Sequence, residues 1–216
     1  DVMRDAGAQI VGGHTSMGAE FTVGFSVTGL ADRAPITLGG AQIGDVLVLT
    51  KPIGTGVVLA AEMQMRARGS DVGAAYASMS RAVAQDARAL NAAHAMTDVT
   101  GFGLAGHIAN ICRASQVGAE LNVNAVPLLD GALELSEAGV QSSLYTDNLS
   151  DALMLMNAPT SARARLMLDP QTAGGLLVAL PDAKAQKAIA QMKAQGIDAV
   201  EIGRIVEGPV ALNLIE

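Results

Sequence analysis

The order of apolar and polar positions divides the chain into alternating strand-type and helix-type segments. Phe21 to Leu30 reads FTVGFSVTGL, with Phe21, Val23, Phe25 and Val27 on one face, the period-two pattern of a half-buried strand. Asp45 to Thr50, DVLVLT, is a short β-branched apolar run that suits a strand buried on both faces. Lys51-Pro52 ends it. Gly54-Thr55-Gly56 then opens a helical stretch to about Arg68, with Gly69 as its C-cap. Ser70-Asp71 caps a long helix predicted to end near Ala93, its inner face carrying Met79, Ala82, Val83, Ala87 and Leu90. A short segment, Ala95 to Val99, leads to Thr100-Gly101-Phe102-Gly103 and a helix to about Ala114.

In the second half, Gly118 to Val126 reads as a strand and Leu128 to Ala138 as a helix ended by Gly139. Val140 to Ser150 has few periodic apolar residues and is predicted to be an exposed loop. Asp151 to Leu168 is predicted helical in two pieces, the second starting at Pro159-Thr160. Leu176 to Leu180 is a buried strand, and Pro181 to Gln195 an amphipathic helix with Gly196 as its C-cap. Val200 to Val206 and Val210 to Ile215 read as two strands joined in a hairpin by Glu207-Gly208-Pro209. This alternation predicts an α/β sandwich with a mixed sheet. No Pro/Ser linker, low-complexity tract or repeat interrupts it, so one domain with a short N-terminal appendage is expected. The opening residues, Asp1-Val2-Met3-Arg4, lack an initiator Met and read as the middle of a helix, as expected of a fragment.

Composition removes several function classes. Half of the 216 residues are apolar, which excludes a disordered tail. Lys and Arg number 14 against 21 Asp and Glu, a net charge of −7, and no basic block is present, so a nucleic-acid partner is not expected. Aromatic residues make up 2%, too few for base-stacking platforms. The single cysteine, Cys112, excludes an internal disulfide and a multi-cysteine zinc cage, and its apolar helical setting reads as core. No apolar run approaches the roughly 20 residues of a membrane span, so no membrane association is expected.

Four places concentrate Gly, Thr, Asp and His where a packed core does not need them. In Gly12-Gly13-His14-Thr15-Ser16, paired glycines let backbone N–H groups approach an anion and hydroxyls donate to phosphate oxygens; an ordinary turn before a strand reads the same way. In Thr97-Asp98-Val99-Thr100-Gly101-Phe102-Gly103, an Asp at a strand end beside a Gly-rich turn can hold Mg²⁺ near phosphates, or can simply cap the next helix. Asp169 to Gly175, DPQTAGG, offers a turn, polar contacts and close backbone approach, or a plain helix-to-strand connection. Lys51 to Gly56, KPIGTG, is not a Walker A loop; its helix N-terminus could favour an anion or be strand–turn–helix architecture. His14, His94 and His107 show no i,i+4 pairing for a metal.

Taken in order, GGHTS (Gly12–Ser16), LTKPIGTGV (Leu49–Val57), AMTDVTGFGLAGH (Ala95–His107) and DPQTAGGLL (Asp169–Leu177) resemble the selenophosphate synthetase, or selenide, water dikinase, family. The resemblance covers nearly the whole chain. It implies a superfamily shared with aminoimidazole ribonucleotide synthetase and thiamine-monophosphate kinase, and a two-domain protomer; a cytoplasmic location is expected from the lone cysteine, which suits a reducing compartment. The N-terminal domain of that protomer forms a homodimer through its sheet, and the C-terminal domain is a three-layer α/β sandwich with a mixed sheet. Residues 1–20 correspond to the end of the N-terminal domain and the junction, and residues 21–216 to the C-terminal domain. ATP and Mg²⁺ bind between the domains, and ATP, selenide and water give selenophosphate, AMP and phosphate.

Carried over by position, Asp98 is the implied Mg²⁺ ligand, and Gly12, Gly13, His14 and Thr15 line the nucleotide phosphates. Thr100, Gly101 and Gly103 shape the turn that places Asp98, while Asp169, Gln171 and Thr172 support the same cleft. The family's N-terminal Gly-rich loop, with its reactive Cys or selenocysteine, its Lys and its further aspartates, has no counterpart here. The catalytic residues are therefore expected outside the chain, which alone is expected to be inactive. Ala173 stands where the family commonly has Ser. Two alternatives are a related ATP-dependent kinase of the superfamily and a non-catalytic relic used for interaction. His14 within GGHTS, together with DPQT, favours selenium chemistry, and the retained Asp98 counts against the relic.

Overall fold

Val46–Leu49 forms a strand with all four side chains buried, and both of its faces are covered by apolar packing. In the computed structural model, which describes residues 1–216, this strand lies in the larger of two units, Ile36–Glu216; the smaller is Asp1–Pro35. In chain order the elements are α1 (Val2–Asp5), β1 (Val46–Leu49), α2 (Thr55–Met63), α3 (Gly69–Ser80), α4 (Ala84–Ala89), β2 (Ala95–Asp98), α5 (Gly103–Ser115) and β3 (Gly118–Asn122). They continue with α6 (Ala132–Glu137), α7 (Tyr145–Ala152), α8 (Ala162–Arg165), β4 (Leu176–Leu180), α9 (Asp182–Ala194), β5 (Val200–Val206) and β6 (Leu212–Ile215).

The six strands form one mixed sheet in the order β2-β4-β1-β5-β3-β6, in which only β3 and β6 run parallel. Alternation along β1 and β4 sends Leu47, Leu49, Leu177 and Ala179 to one face. There they meet Val57 and Val58 of α2 and Leu104, Ile108 and Ile111 of α5. Val46, Val48, Leu176, Val178 and Leu180 face the other way, onto Leu90 and onto Ala185, Ala188 and Met192 of α9. Helices on both faces of a mixed sheet make the expected α/β sandwich, and two-sided burial explains why these strands read as continuous apolar runs. No helix is long and apolar enough to cross a membrane.

Five expectations differ from what is observed. Phe21–Leu30 forms no strand; Phe21, Val23, Phe25 and Val27 are exposed, because no other strand pairs with their backbone and period-two alternation alone does not satisfy its N–H and C=O groups. The helix expected over 70–93 is two, α3 and α4, broken where Arg81 turns extended. The Arg81 guanidinium there binds both oxygens of fully buried Asp86 (2.8 and 3.0 Å) and the Thr50 carbonyl (2.7 Å). Val140–Ser150 is not a loop throughout: α7 begins at Tyr145 and buries Tyr145 and Asn148. Of the helix expected over 151–168, only the end of α7, α8 with its Ser161 cap and a 3₁₀ turn at Leu166–Leu168 form.

The β5–β6 hairpin is also opened, with β3 inserted between its arms. Gly118 at the start of β3 makes room for the crossing link: a Cβ there would lie 3.1 Å from the Pro209 carbonyl oxygen and 3.3 Å from the Val206 side chain.

Candidate functional site

Strand direction brings three of the four motifs to one end of the sheet. β4 runs antiparallel to both β1 and β2, with Leu177 opposite Leu49 and Leu176 opposite Asp98. The segment after β1 (Thr50–Gly56), the turn after β2 (Val99–Gly103) and the segment before β4 (Asp169–Gly175) therefore meet.

Backbone bonds join them directly. Val99 N–H donates to the Gly175 carbonyl (2.9 Å), and the Thr100 carbonyl accepts from Gln171 N–H (3.0 Å) and Gly103 N–H (3.1 Å). Glycine is required at several of these crossings. A Cβ on Gly174 would collide with the Val99 carbonyl oxygen, and one on Gly175 would sit 2.5 Å from Lys51 N. Gly103 has φ +69° and would place a Cβ 2.7 Å from the Leu168 carbonyl carbon. Ala173 adopts φ 49°, a left-handed conformation in a non-glycine residue.

Gln171 staples this end together. Its Oε1 accepts from the N–H groups of Gly54 (2.9 Å) and Thr55 (3.1 Å) and from the Thr55 hydroxyl (3.1 Å). Its Nε2 donates to the Asp169 carbonyl (2.8 Å) and carboxylate (3.0 Å). Thr172 N–H donates to the Thr55 hydroxyl (2.9 Å). Asp169 is buried, and burial pushes its carboxyl up to about 7 despite the opposing bonds from Val57 N–H, Gln171 and Gly56 N–H. The N-terminal N–H groups of α2 are thus already taken by Asp169 and Gln171, so KPIGTG serves as strand–turn–helix architecture rather than as an anion cradle. Lys51, also buried, donates to the carbonyls of Ser78 and Ala173 (both 2.8 Å), and its pKa is lowered by burial and by Arg81.

Asp98 ends β2 with its side chain exposed. It does not cap α5, whose N-cap is Phe102, four residues on. The turn after it is held from below. The Thr100 N–H donates to Nε2 of buried His107 (2.9 Å), and Nδ2 of buried Asn148 donates to the carbonyls of Gly101 (2.8 Å) and Leu168 (2.9 Å). Burial lowers the His107 pKa, and the Asp98 carboxylate opposes that shift.

Asp98, Thr100, Gly101, Gly103, Asp169, Gln171 and Thr172 are therefore gathered in one place. Gly12, Gly13, His14 and Thr15 lie in the other unit, on exposed chain without regular structure. No group of three or more His, Cys, Asp or Glu side chains is positioned to hold a metal. Mg²⁺ commonly takes one or two protein carboxylates and completes its shell with phosphate and water oxygens, so the exposed Asp98 carboxylate fits a single ligand of a shared site. Sequence reasoning missed Asn148, which carries no motif and lies in a segment with little apolar periodicity. It also considered His107 only as a metal ligand; its i,i+7 relation to Thr100 was the available signal.

The sequence family described as AIR synthase related protein, C-terminal domain, matches residues 42–213. Selenide, water dikinase of Pelobacter propionicus is 38% identical over 225 aligned positions, covering 100% of this chain and 64% of the relative. That of Geobacter metallireducens is 37% identical over 211 positions, covering 95% and 62%. The chain thus spans a little under two thirds of these relatives. Among solved structures, E. coli HypE, a hydrogenase maturation protein, superposes with a TM-score of 0.62 at 17% identity, over 84% of this chain and 49% of that one. Thiamine-monophosphate kinase of Stenotrophomonas maltophilia gives 0.60 at 18%, over 83% and 52%. A HypE structure in complex with ATP gives 0.57 at 19%, over 80% and 45%. With the family match spanning the whole sheet from β1 into β6, the chain belongs to the AIR synthase related proteins as their C-terminal domain.

Proposed function

We propose that this chain is the C-terminal, nucleotide-binding part of a selenophosphate synthetase, acting in a protein that converts ATP, selenide and water to selenophosphate, AMP and phosphate. The observation that carries the reading is Asp98: an exposed carboxylate with no capping duty, on a turn fixed from three sides. The likeness to selenide, water dikinases supports the substrate, and the solved HypE–ATP complex supports the nucleotide.

Phosphoryl transfer depends on positioning and charge neutralisation more than on covalent chemistry from the protein. Bound Mg²⁺ would supply the neutralisation, with Asp98 as one of its ligands. The chain's own residues do the positioning. His107, Asn148 and the Gln171 backbone hold the Asp98 turn, while Lys51 and the Gln171 side chain hold the facing DPQTAGG segment. Gly12, Gly13, His14 and Thr15 are proposed to meet the phosphates through backbone N–H groups and the Thr15 hydroxyl. The intact protein is proposed to act as a homodimer.

Phosphorus NMR on the full-length protein given ATP and selenide tests this. Selenophosphate and AMP should appear together, and only when selenide is present. ATP consumption unaffected by selenide would contradict the assignment and favour another kinase of the superfamily.

A further inference from the structure

We infer that His107 is a positioning residue for Asp98, working as a fixed hydrogen-bond acceptor under the Asp98–Gly103 turn. The inference rests on the proposed metal role of Asp98.

The geometry begins with the donor. Thr100 N–H has a hydrogen to give, so the Nε2 atom 2.9 Å away must be unprotonated, and the ring proton lies on Nδ1. The Thr100 hydroxyl is 3.3 Å from the same nitrogen. The ring is buried on α5 and meets Phe102 edge-on, with centroids 5.8 Å apart and planes at 65°. The ring is therefore anchored on the helix α5, and Phe102 of the turn packs against it. Thr100 is two residues beyond Asp98, and its carbonyl is separately fixed by Gln171 and Gly103. His107 thus fixes the N–H side of the same residue, so the peptide unit ahead of Thr100 cannot rotate and carry the end of β2 with it. With Nε2 accepting from Thr100 N–H, the ring supplies an acceptor without adding positive charge beside the Asp98 carboxylate.

The test substitutes His107 in the full-length protein. Gln reaches as far as Nε2 and offers an oxygen, Asn is too short, and Leu fills the space without an acceptor. Mn²⁺ uptake in the presence of a non-hydrolysable ATP analogue is followed by electron paramagnetic resonance, and exchange of the Thr100 amide by NMR. The expected result is a loss of Mn²⁺ affinity of about 10- to 100-fold in His107→Leu and His107→Asn, the range typical of groups that orient a metal ligand. Thr100 exchange should be faster in both, and His107→Gln should restore both readouts. Unchanged Mn²⁺ affinity in His107→Asn, or in His107→Leu where it folds, would overturn the positioning role while leaving the proposed function standing. A wild-type protein that takes up no Mn²⁺ with the nucleotide would overturn the proposed function and this inference with it.

Discussion

A buried carboxylate at the end of a sheet need not be a ligand, and Asp169 illustrates the difference. The N–H groups of Gly56 and Val57 and the Gln171 amide all donate to it, so it closes the N-terminus of α2. Its pKa is raised from the ordinary 3.8 to about 7, so the folded protein holds this proton more tightly than the unfolded chain. The associated stability is fully present below about pH 4 and is lost as pH rises through 7, by an amount on the order of 4 kcal/mol. Urea unfolding between pH 4 and 8 should show a steeper fall in stability for the wild type than for Asp169→Asn, the difference being the Asp169 contribution, while other groups such as His107 act in both proteins. Equal slopes in the two proteins would show that Asp169 ionises normally in the fold. Asp98 lies at the opposite extreme, exposed and committed to no helix cap, which is the condition for meeting something outside the chain.

The elements that were legible in the sequence are those whose burial is periodic or continuous. The strands β1 and β4 and the helices α5 and α9 follow their apolar patterns closely, because hydrophobic burial alone positions them. Elements held by polar contacts were not legible. Arg81 breaks the α3–α4 helix to reach Asp86 and Thr50, and nothing in local propensity announces a partner 31 residues away. The inward face of α7 includes Asn148, whose amide braces Gly101 and Leu168 across the core, and a polar residue at that position reads as loop. In the candidate site, Asp98 and the glycine-rich turns are visible as motifs, whereas the residues that fix them are not: His107 closes the same motif but spacing does not mark it as an acceptor for Thr100, and Asn148 lies 47 residues from Gly101. Asn148→Ala should leave two carbonyls without donors and cost about 1–3 kcal/mol in urea unfolding. A cost under about 0.5 kcal/mol would mean that water replaces the amide and that α7 does not brace the turn.

At the scale of the whole molecule, the two units differ in kind. Ile36–Glu216 contains both apolar cores, whereas Asp1–Pro35 buries no apolar side chain and exposes Ile10, Val11, Phe21, Phe25, Val27 and Leu30. Large apolar side chains exposed in this number promote association. Sedimentation should therefore show concentration-dependent self-association of residues 1–216, relieved by removing residues 1–35, with the shortened chain still unfolding cooperatively near the same temperature. Loss of cooperative unfolding on that removal would show that the first segment is part of the core rather than an addition to it.

Asp98 is proposed to serve a cation at the nucleotide phosphates and not the fold. The most direct test of that role is Asp98→Asn in the full-length protein, with selenide-dependent turnover measured across a Mg²⁺ titration. Asn keeps the size and one oxygen but removes the charge that pairs with the ion. The variant should unfold at a midpoint close to the wild type, since no helix cap is lost, and should lose most turnover at limiting Mg²⁺. A folded Asp98→Asn enzyme with near-normal turnover at limiting Mg²⁺ would contradict the proposed role.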